Sequence, residues 1–300
     1  CVLIECDDTL DSINASASAI VNYISMRAGI GINAGRIRGL GSKIRGGEAF
    51  HTGVLPFYKH FQTAVKSCSQ GGVRGGAATL FYPIWHSEFE SLIVLKNNRG
   101  VDENRIRQLD YGVQINGYLY NRLLKSQPIS LFSPNDVPGL YDAFFADQAK
   151  FAELYEMYEG NPSIRRKTLP ALEIFGQIGS ERASTGRIYI QNVDHCNTNS
   201  PFDASVAPIR QSNLCLEIAL PTKPLVGGYG VDRDNGEIAL CTLAALNLGE
   251  MNSDSDIEEC TELAVRALDE ILDFQNYPHP AALHAKGRRA LGIGVVNYAY

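Results

Sequence analysis

The sequence predicts an α/β protein with a largely parallel sheet, on three observations. Strand-like and helical periodicities alternate along all 300 residues, and no internal repeat, heptad pattern or low-complexity linker interrupts them. The composition, 45% hydrophobic against 20% charged, can bury a large core. Taken in order, Val2 to Glu5 reads as a strand. Ile13, Ala17, Ile20, Val21 and Ile24 form one apolar helix face, closed by Gly29. Phe57, Phe61, Ala64, Val65 and Cys68 form a second, closed by Gly71-Gly72, so each helix delivers the chain into a Gly-rich loop. Further strands are expected at Thr79 to Trp85, Ile129 to Phe132, Arg187 to Asn192, Asn213 to Ala219 and Ile238 to Leu243. Further helices are expected at roughly 87 to 96, 115 to 125, 140 to 158, 166 to 184 and 257 to 275. The last carries Cys260, Leu263, Ala264, Ala267, Leu268 and Ile271 on one side. Strands separated by helices imply parallel pairing, but the pattern does not choose between a barrel and an open sheet.

The bulk chemistry narrows the function classes. No apolar run reaches the roughly 18 residues of a membrane span, and the first residues lack a secretion signal. Seven scattered cysteines without a CxxC pair suit a reducing, cytoplasmic compartment better than a disulfide framework. The net charge of −6 is unevenly spread. Between Ser12 and Ser87 stand eight basic residues and one acid, a local +7 against −13 elsewhere, and twelve of the 28 glycines fall between Gly29 and Gly76. A basic, Gly-rich stretch in an acidic chain points to compact anions such as nucleotide phosphates, and away from nucleic acid. The chain starts with Cys and stops inside the apolar segment Ile293 to Tyr300, so an internal fragment is expected.

The stretch Gln211 to Ile218 alternates polar and apolar residues. In an extended strand Asn213, Cys215 and Glu217 would share one face about 7 Å apart, with Leu214, Leu216 and Ile218 on the other. Spacing alone equally describes a half-exposed strand whose cysteine happens to face the polar side. Cys241, within Ile238 to Leu243, reads on its own as a buried core thiol. The loop Cys68 to Ala77 contains neither GxxxxGK[ST] nor GxGxxG, and alone could be a flexible surface loop with solvated arginines. Cys196 beside His195 and Asp194 is a single pair, short of a metal-ligand pattern, so no metal site is expected.

These motifs, together with Ser67-Cys68-Ser69-Gln70-Gly71-Gly72-Val73-Arg74-Gly75-Gly76-Ala77-Ala78-Thr79 and Arg182-Ala183-Ser184-Thr185-Gly186-Arg187-Ile188-Tyr189, resemble the large (alpha) subunit of aerobic, class Ia-like ribonucleoside-diphosphate reductases. The likeness runs over essentially the whole chain. It implies a partial ten-stranded α/β barrel with a central finger loop, residues 1–300 supplying the first half-barrel, the finger and the start of the second half. It implies Cys215 as the thiyl radical, Glu217 as the base for the 3′-hydroxyl, Asn213 as a substrate hydrogen-bonding group, and Cys1 and Cys241 as the redox pair that closes to a disulfide. Asp8, Thr9, Leu10, Arg38 and Arg45 would form an allosteric specificity site for deoxynucleoside triphosphates or ATP. Arg74 and Gly75 would lie on the loop that relays effector identity to the substrate. No cofactor is expected in the chain itself. The radical would come from a metal-containing small (beta) subunit, the reducing equivalents from thioredoxin or glutaredoxin, and the large subunit would be a homodimer.

Several parts of that family's pattern are absent. They are the amino-terminal ATP cone, the substrate phosphate loop, the radical-transfer tyrosines and the carboxy-terminal cysteines, so the fragment alone is expected to be inactive. Cys6, Cys68, Cys196, Cys260 and the Gly-rich segment Val226 to Asp234 receive no role. Two rival readings stand beside the reductase: a non-catalytic nucleotide-binding or dimerisation module derived from such a subunit, and a glycyl-radical relative. The paired Cys1 and Cys241 favour the disulfide-using branch over the latter.

Overall fold

The first apolar run, Val2–Glu5, is a fully buried strand, β1. It belongs to a computed structural model that describes every residue except Gly71, Val73 and Tyr300. Thr9 caps α1 (Leu10–Ser25) by accepting a hydrogen bond from the Ser12 N–H, and Ile13, Ala17, Ile20 and Ile24 bury the expected face. After β2 (Ile30–Asn33) come a small hairpin, β3 (Lys43–Ile44) and β4 (Ala49–Phe50), then α2 (Leu55–Lys66), and then a second hairpin, β5 (Ser69–Gln70) and β6 (Arg74–Gly75). Next are β7 (Ala78–Pro83), α3 (Phe89–Ile93), β8 (Asp110–Ile115), α4 (Gly117–Leu124) and β9 (Pro128–Phe132). They are followed by α5 (Leu140–Ala146), α6 (Gln148–Gly160), β10 (Arg166–Pro170), α7 (Ala171–Thr185), β11 (Ile188–Asn192) and α8 (Val193–Thr198). The rest comprises β12 (Gln211–Ser212), β13 (Ala219–Leu220), α9 (Tyr229–Asn235), β14 (Ala239–Leu240), β15 (Leu243–Asn247), α10 (Asp254–Phe274), α11 (His284–Arg288) and β16 (Gly292–Val296).

Six strands form the central sheet in the order β11-β8-β7-β2-β1-β14. The first five are mutually parallel, and β14 closes the edge antiparallel to β1. Among the described residues no sheet closes on itself, so the α/β expectation holds and the sheet seen here is open. Strands β1, β2 and β7 are buried on both faces, as parallel strands covered by crossover helices must be. One of their faces carries helices such as α1. Across β1 and β2 lies the hairpin β12–β13, with Gln211 paired to Leu220 and Ser212 to Ala219.

The largest departure from expectation is at this hairpin. Residues 213–218 are not a strand but its turn, closed by the Asn213 N–H donating to the Ile218 carbonyl (3.3 Å) and the Leu216 N–H to the Asn213 carbonyl (3.4 Å). Leu216 adopts φ +63°, and the Asn213 side-chain oxygen accepts from the Glu217 N–H (3.3 Å). Asparagine offered the backbone a local partner, and that outweighed the strand-like alternation. Two other expectations fail through similar local chemistry. The helix expected from 166 starts at Ala171, because Pro170 holds the preceding residue extended and 166–170 pairs with β9 instead. The helix expected over 140–158 is two, since Asp147 is extended and its side chain caps α6. The run Ile238 to Leu243 also divides, between β14 and β15 in different sheets.

Strands β2, β8 and β16 were not anticipated. In β2 the reason is Gly31, which makes the segment look like part of the Gly-rich loop. A Cβ on Gly31 would stand 2.1 Å from the Ser212 carbonyl oxygen, so the glycine is a seat for the hairpin backbone. Gly31→Ala is therefore expected to cost roughly 1–3 kcal/mol of stability through overpacking, read as a lower urea midpoint. An unchanged midpoint would show that the hairpin is not pressed on this strand.

Candidate active site

The hairpin is held on the sheet from three successive strands. Gly31 of β2 admits its backbone, the Thr79 hydroxyl of β7 donates to the Leu214 carbonyl (2.7 Å), and the Gln114 amide of β8 donates to the Arg210 carbonyl (2.6 Å). A Cβ on Gly29 would meet both the Leu214 side chain (2.6 Å) and the Cys1 sulfur (3.1 Å), which puts Cys1 beside the same turn.

At that turn the buried Asn213 amide donates to Glu217 Oε1 (2.6 Å) and to Cys241 Sγ (3.4 Å), and the Cys241 thiol lies 3.8 Å from the same carboxylate oxygen. Cys215 is exposed on the turn. Cys1 and Cys241 form the next rung after Val2 and Leu240 on antiparallel strands, with the Cys241 N–H donating to the Cys1 carbonyl (2.9 Å). Directly opposed residues of this hydrogen-bonded kind have Cα atoms about 5.5 Å apart, inside the range a disulfide spans. Both cysteines are free thiols here. All five expected residues thus gather at one end of the sheet, though a turn and a cross-strand pair replace the evenly spaced strand face expected from alternation.

Burial and then the Glu217 carboxylate raise the Cys215 thiol above its ordinary range, and the same two causes push Cys241 up to about 11. At neutral pH both therefore keep their hydrogen. That is the opposite of a nucleophilic cysteine, whose thiolate is stabilised by a nearby cation. It suits a group that gives and takes hydrogen rather than one that attacks carbon.

A second site lies at the amino end of α1. Asp8, Thr9, Leu10, Arg38 and Arg45 all line one cavity of about 380 Å³ between α1 and the β3–β4 hairpin. Arg38 grips Asp8 through Nε to Oδ2 (2.7 Å) and through its backbone N–H to Oδ1 (2.9 Å). Burial nonetheless raises the Asp8 carboxyl. Phe50 and His51, which were not singled out from the sequence, and Phe57, read there only as part of an apolar helix face, also line the cavity, and His51 stacks on Phe57 at 5.5 Å. Three rings spaced through the basic stretch were the available signal, since flat apolar faces beside arginines suit a base and its phosphates together. Burial lowers the His51 imidazole, keeping the ring neutral. Arg74 and Gly75 are exposed on the β5–β6 hairpin, while Gly71 and Val73 of the same motif lie outside the described residues.

Among the described residues no cluster of three or more His, Cys, Asp or Glu side chains could hold a metal, and no helix is long and apolar enough to cross a membrane. Cys6 is buried, its thiol pushed up to about 12 by desolvation. Cys196 is half-buried beside Gln191 and takes part in no ligand set.

A parallel α/β sheet that mounts an amide, a carboxylate and a thiol on one hairpin, next to two further opposed thiols, defines a thiol-bearing α/β domain. Residues 1–300 match the family model described as the ribonucleotide reductase barrel domain, and the chain belongs to that family. It is 71% identical to the ribonucleoside-diphosphate reductase 1 subunit alpha of Escherichia coli and 70% identical to the subunit alpha of Haemophilus influenzae. Identity to the subunit alpha of Enterobacteria phage T4 is 56%. Each alignment covers the whole of this chain and 39% of the relative, so the chain spans well under half the length of these proteins.

At pH 8 Cys241 is expected to be almost wholly in the thiol form and to react slowly with iodoacetamide, the rate climbing as pH approaches about 11. Glu217→Gln removes a negative charge that disfavours the thiolate, so the climb should move to lower pH. A profile that the substitution leaves in place would mean that the carboxylate does not act on this thiol.

Proposed function

We propose that this chain carries the reaction centre of a ribonucleoside-diphosphate reductase large subunit, making deoxyribonucleotides for DNA synthesis. The observation that carries this reading is the gathering of Asn213, Glu217 and Cys241 around the turn that exposes Cys215. The five parallel strands are then the first half of a ten-stranded barrel, with β12–β13 as the finger inside it.

In this reading a metal-containing small subunit delivers the radical that converts Cys215 to a thiyl. The sulfur takes the 3′ hydrogen of a ribonucleoside diphosphate, so an S–H bond forms as the C3′–H bond breaks. Glu217, held by Asn213, accepts the 3′-hydroxyl proton, and Asn213 hydrogen-bonds the substrate beside it. Cys1 and Cys241 supply two electrons and two protons. One of these hydrogens leaves with the 2′ oxygen as water and the other takes its place at C2′, the pair closes to a disulfide, Glu217 returns its proton to the 3′ oxygen, and the hydrogen on Cys215 returns to C3′. Thioredoxin or glutaredoxin restores the two thiols. Cys215 before the radical arrives, and Cys241 before it gives up its hydrogen, start as S–H, the form their raised pKa values favour at neutral pH.

The cavity of Asp8, Thr9, Leu10, Arg38 and Arg45 is the effector site in this reading. The arginines take the phosphates of a deoxynucleoside triphosphate or ATP, and the Cys68 to Ala77 loop, with Arg74 and Gly75, relays its identity to the substrate in a homodimeric, cytoplasmic enzyme. Coupling of this kind requires the two sites to change each other's affinity by the same factor.

Two measurements on the complete subunit with its small-subunit partner test these claims. Cys215→Ser should reduce cytidine diphosphate turnover to background, because an O–H bond is too strong to exchange hydrogen with a sugar carbon as S–H does. Retained turnover would remove Cys215 from its role. Arg38→Ala should weaken deoxynucleoside triphosphate binding by about tenfold or more, since a charge-assisted hydrogen bond contributes roughly 1.5–3 kcal/mol. Unchanged binding in equilibrium dialysis would move the phosphate site elsewhere.

A further inference from the structure

Thr79 is wholly buried in β7, a strand otherwise built of Ala78, Leu80, Phe81, Tyr82 and Pro83. A buried hydroxyl is costly unless it finds a partner. The partner here lies outside the sheet, at the carbonyl of Leu214, 2.7 Å away across 135 residues of sequence. That carbonyl is half of the peptide bond leading into Cys215. Because the peptide group is planar, holding the Leu214 oxygen restrains the plane that also contains the Cys215 nitrogen and Cα.

On the other side of Cys215 the chain is held as well. The Leu216 N–H bonds to the Asn213 carbonyl (3.4 Å), and Leu216 sits at φ +63°, a strained region for a branched side chain that only a well-determined surrounding maintains. Cys215 is exposed as a residue, so its position is set largely through its backbone. Among the described residues, Thr79 is the one side chain of the sheet seen to bond this turn directly beside Cys215.

We infer that Thr79 is a positioning residue for hydrogen transfer, its hydroxyl setting the height of the Cys215 sulfur above the substrate carbon through the Leu214 carbonyl. This rests on the reading of Cys215 as the hydrogen-abstracting thiol. The step concerned is the one already balanced above, an S–H bond formed as a C3′–H bond breaks and the reverse at the end of turnover. Hydrogen transfer is steeply sensitive to donor–acceptor separation, whereas substrate binding is not.

The test uses the complete large subunit with its radical-generating partner and cytidine diphosphate carrying hydrogen or deuterium at C3′. Thr79→Val keeps the shape and removes the hydroxyl, and Thr79→Ser keeps the hydroxyl. Valine should lower kcat by about tenfold, in line with the sensitivity of reaction rates to small misplacements, and leave KM within about twofold. Its 3′-deuterium isotope effect should exceed that of the wild type, because hydrogen transfer becomes slower relative to every other step. Serine should restore both kcat and the isotope effect. The inference is overturned if valine keeps the wild-type kcat and isotope effect, or if kcat falls only in proportion to folded protein with the isotope effect unchanged. Should valine fail to fold, Thr79→Ala is read by the same isotope effect, with effector binding as the measure of folded sites. Activity retained in Cys215→Ser would overturn the underlying reading instead, whatever Thr79 does.

Discussion

Backbone lies on backbone where the β12–β13 hairpin crosses the parallel sheet, and much of the site follows from that contact. The Ser212 carbonyl comes so near β2 that no side chain fits at Gly31. A contact so close excludes the apolar filling that normally separates layers, so the hairpin's polar groups must be met by the sheet itself. Gln114 and Thr79 meet the backbone, while Gln211 bonds Thr222, whose hydroxyl donates to the buried Glu5 (2.7 Å). Glu5 in turn lies 3.7 Å from Arg210, which shares Asp142 with Arg36. Burial raises the Glu5 carboxyl and Arg210 opposes that rise, the balance expected of a buried charge kept beside a partner.

The same seating explains why the thiols keep their hydrogens. Cys241 is half-buried against β1, and both Cys241 and Cys215 have a carboxylate as near neighbour, with Asn213 bridging Glu217 and Cys241. A positive group in Glu217's place would have produced thiolates, suited to attack on carbon or to metal binding. The carboxylate thus helps to hold both sulfurs in the S–H form, and in the proposed mechanism the same group is the base. The amide is suited to the bridge because it donates twice without carrying charge.

Much of the domain was legible in sequence where periodicity and burial agree. The apolar face of α1, the strands β1, β7 and β11, and the amphipathic start of α2 fell where spacing put them. Helix α10 was also found, although Leu263 and Ile271 of its expected apolar side are exposed and only Leu268 and Leu272 are buried. Failures came where one residue overrode a pattern. Pro170 turned a helical stretch into a strand, Asp147 divided a helix by capping its second half, and Asn213 folded an alternating run into a turn.

Residue types and their order by themselves determined the chemistry available here: three cysteines, an amide and a carboxylate in motifs of one family, and a basic, Gly-rich stretch suited to anions. Side-chain chemistry is a local property, and local sequence carries it. Tertiary structure alone decided how those groups meet. Cys1 opposes Cys241 only because β14 runs back along β1, and Asn213 reaches both Glu217 and Cys241 only because the run is a turn. Thr79 and Gly31 acquire a role only because a hairpin some 135 residues or more further on is laid across them. Contacts between strands distant in sequence leave no period in either segment, so nothing in the sequence of β2 or β7 announces the turn they hold.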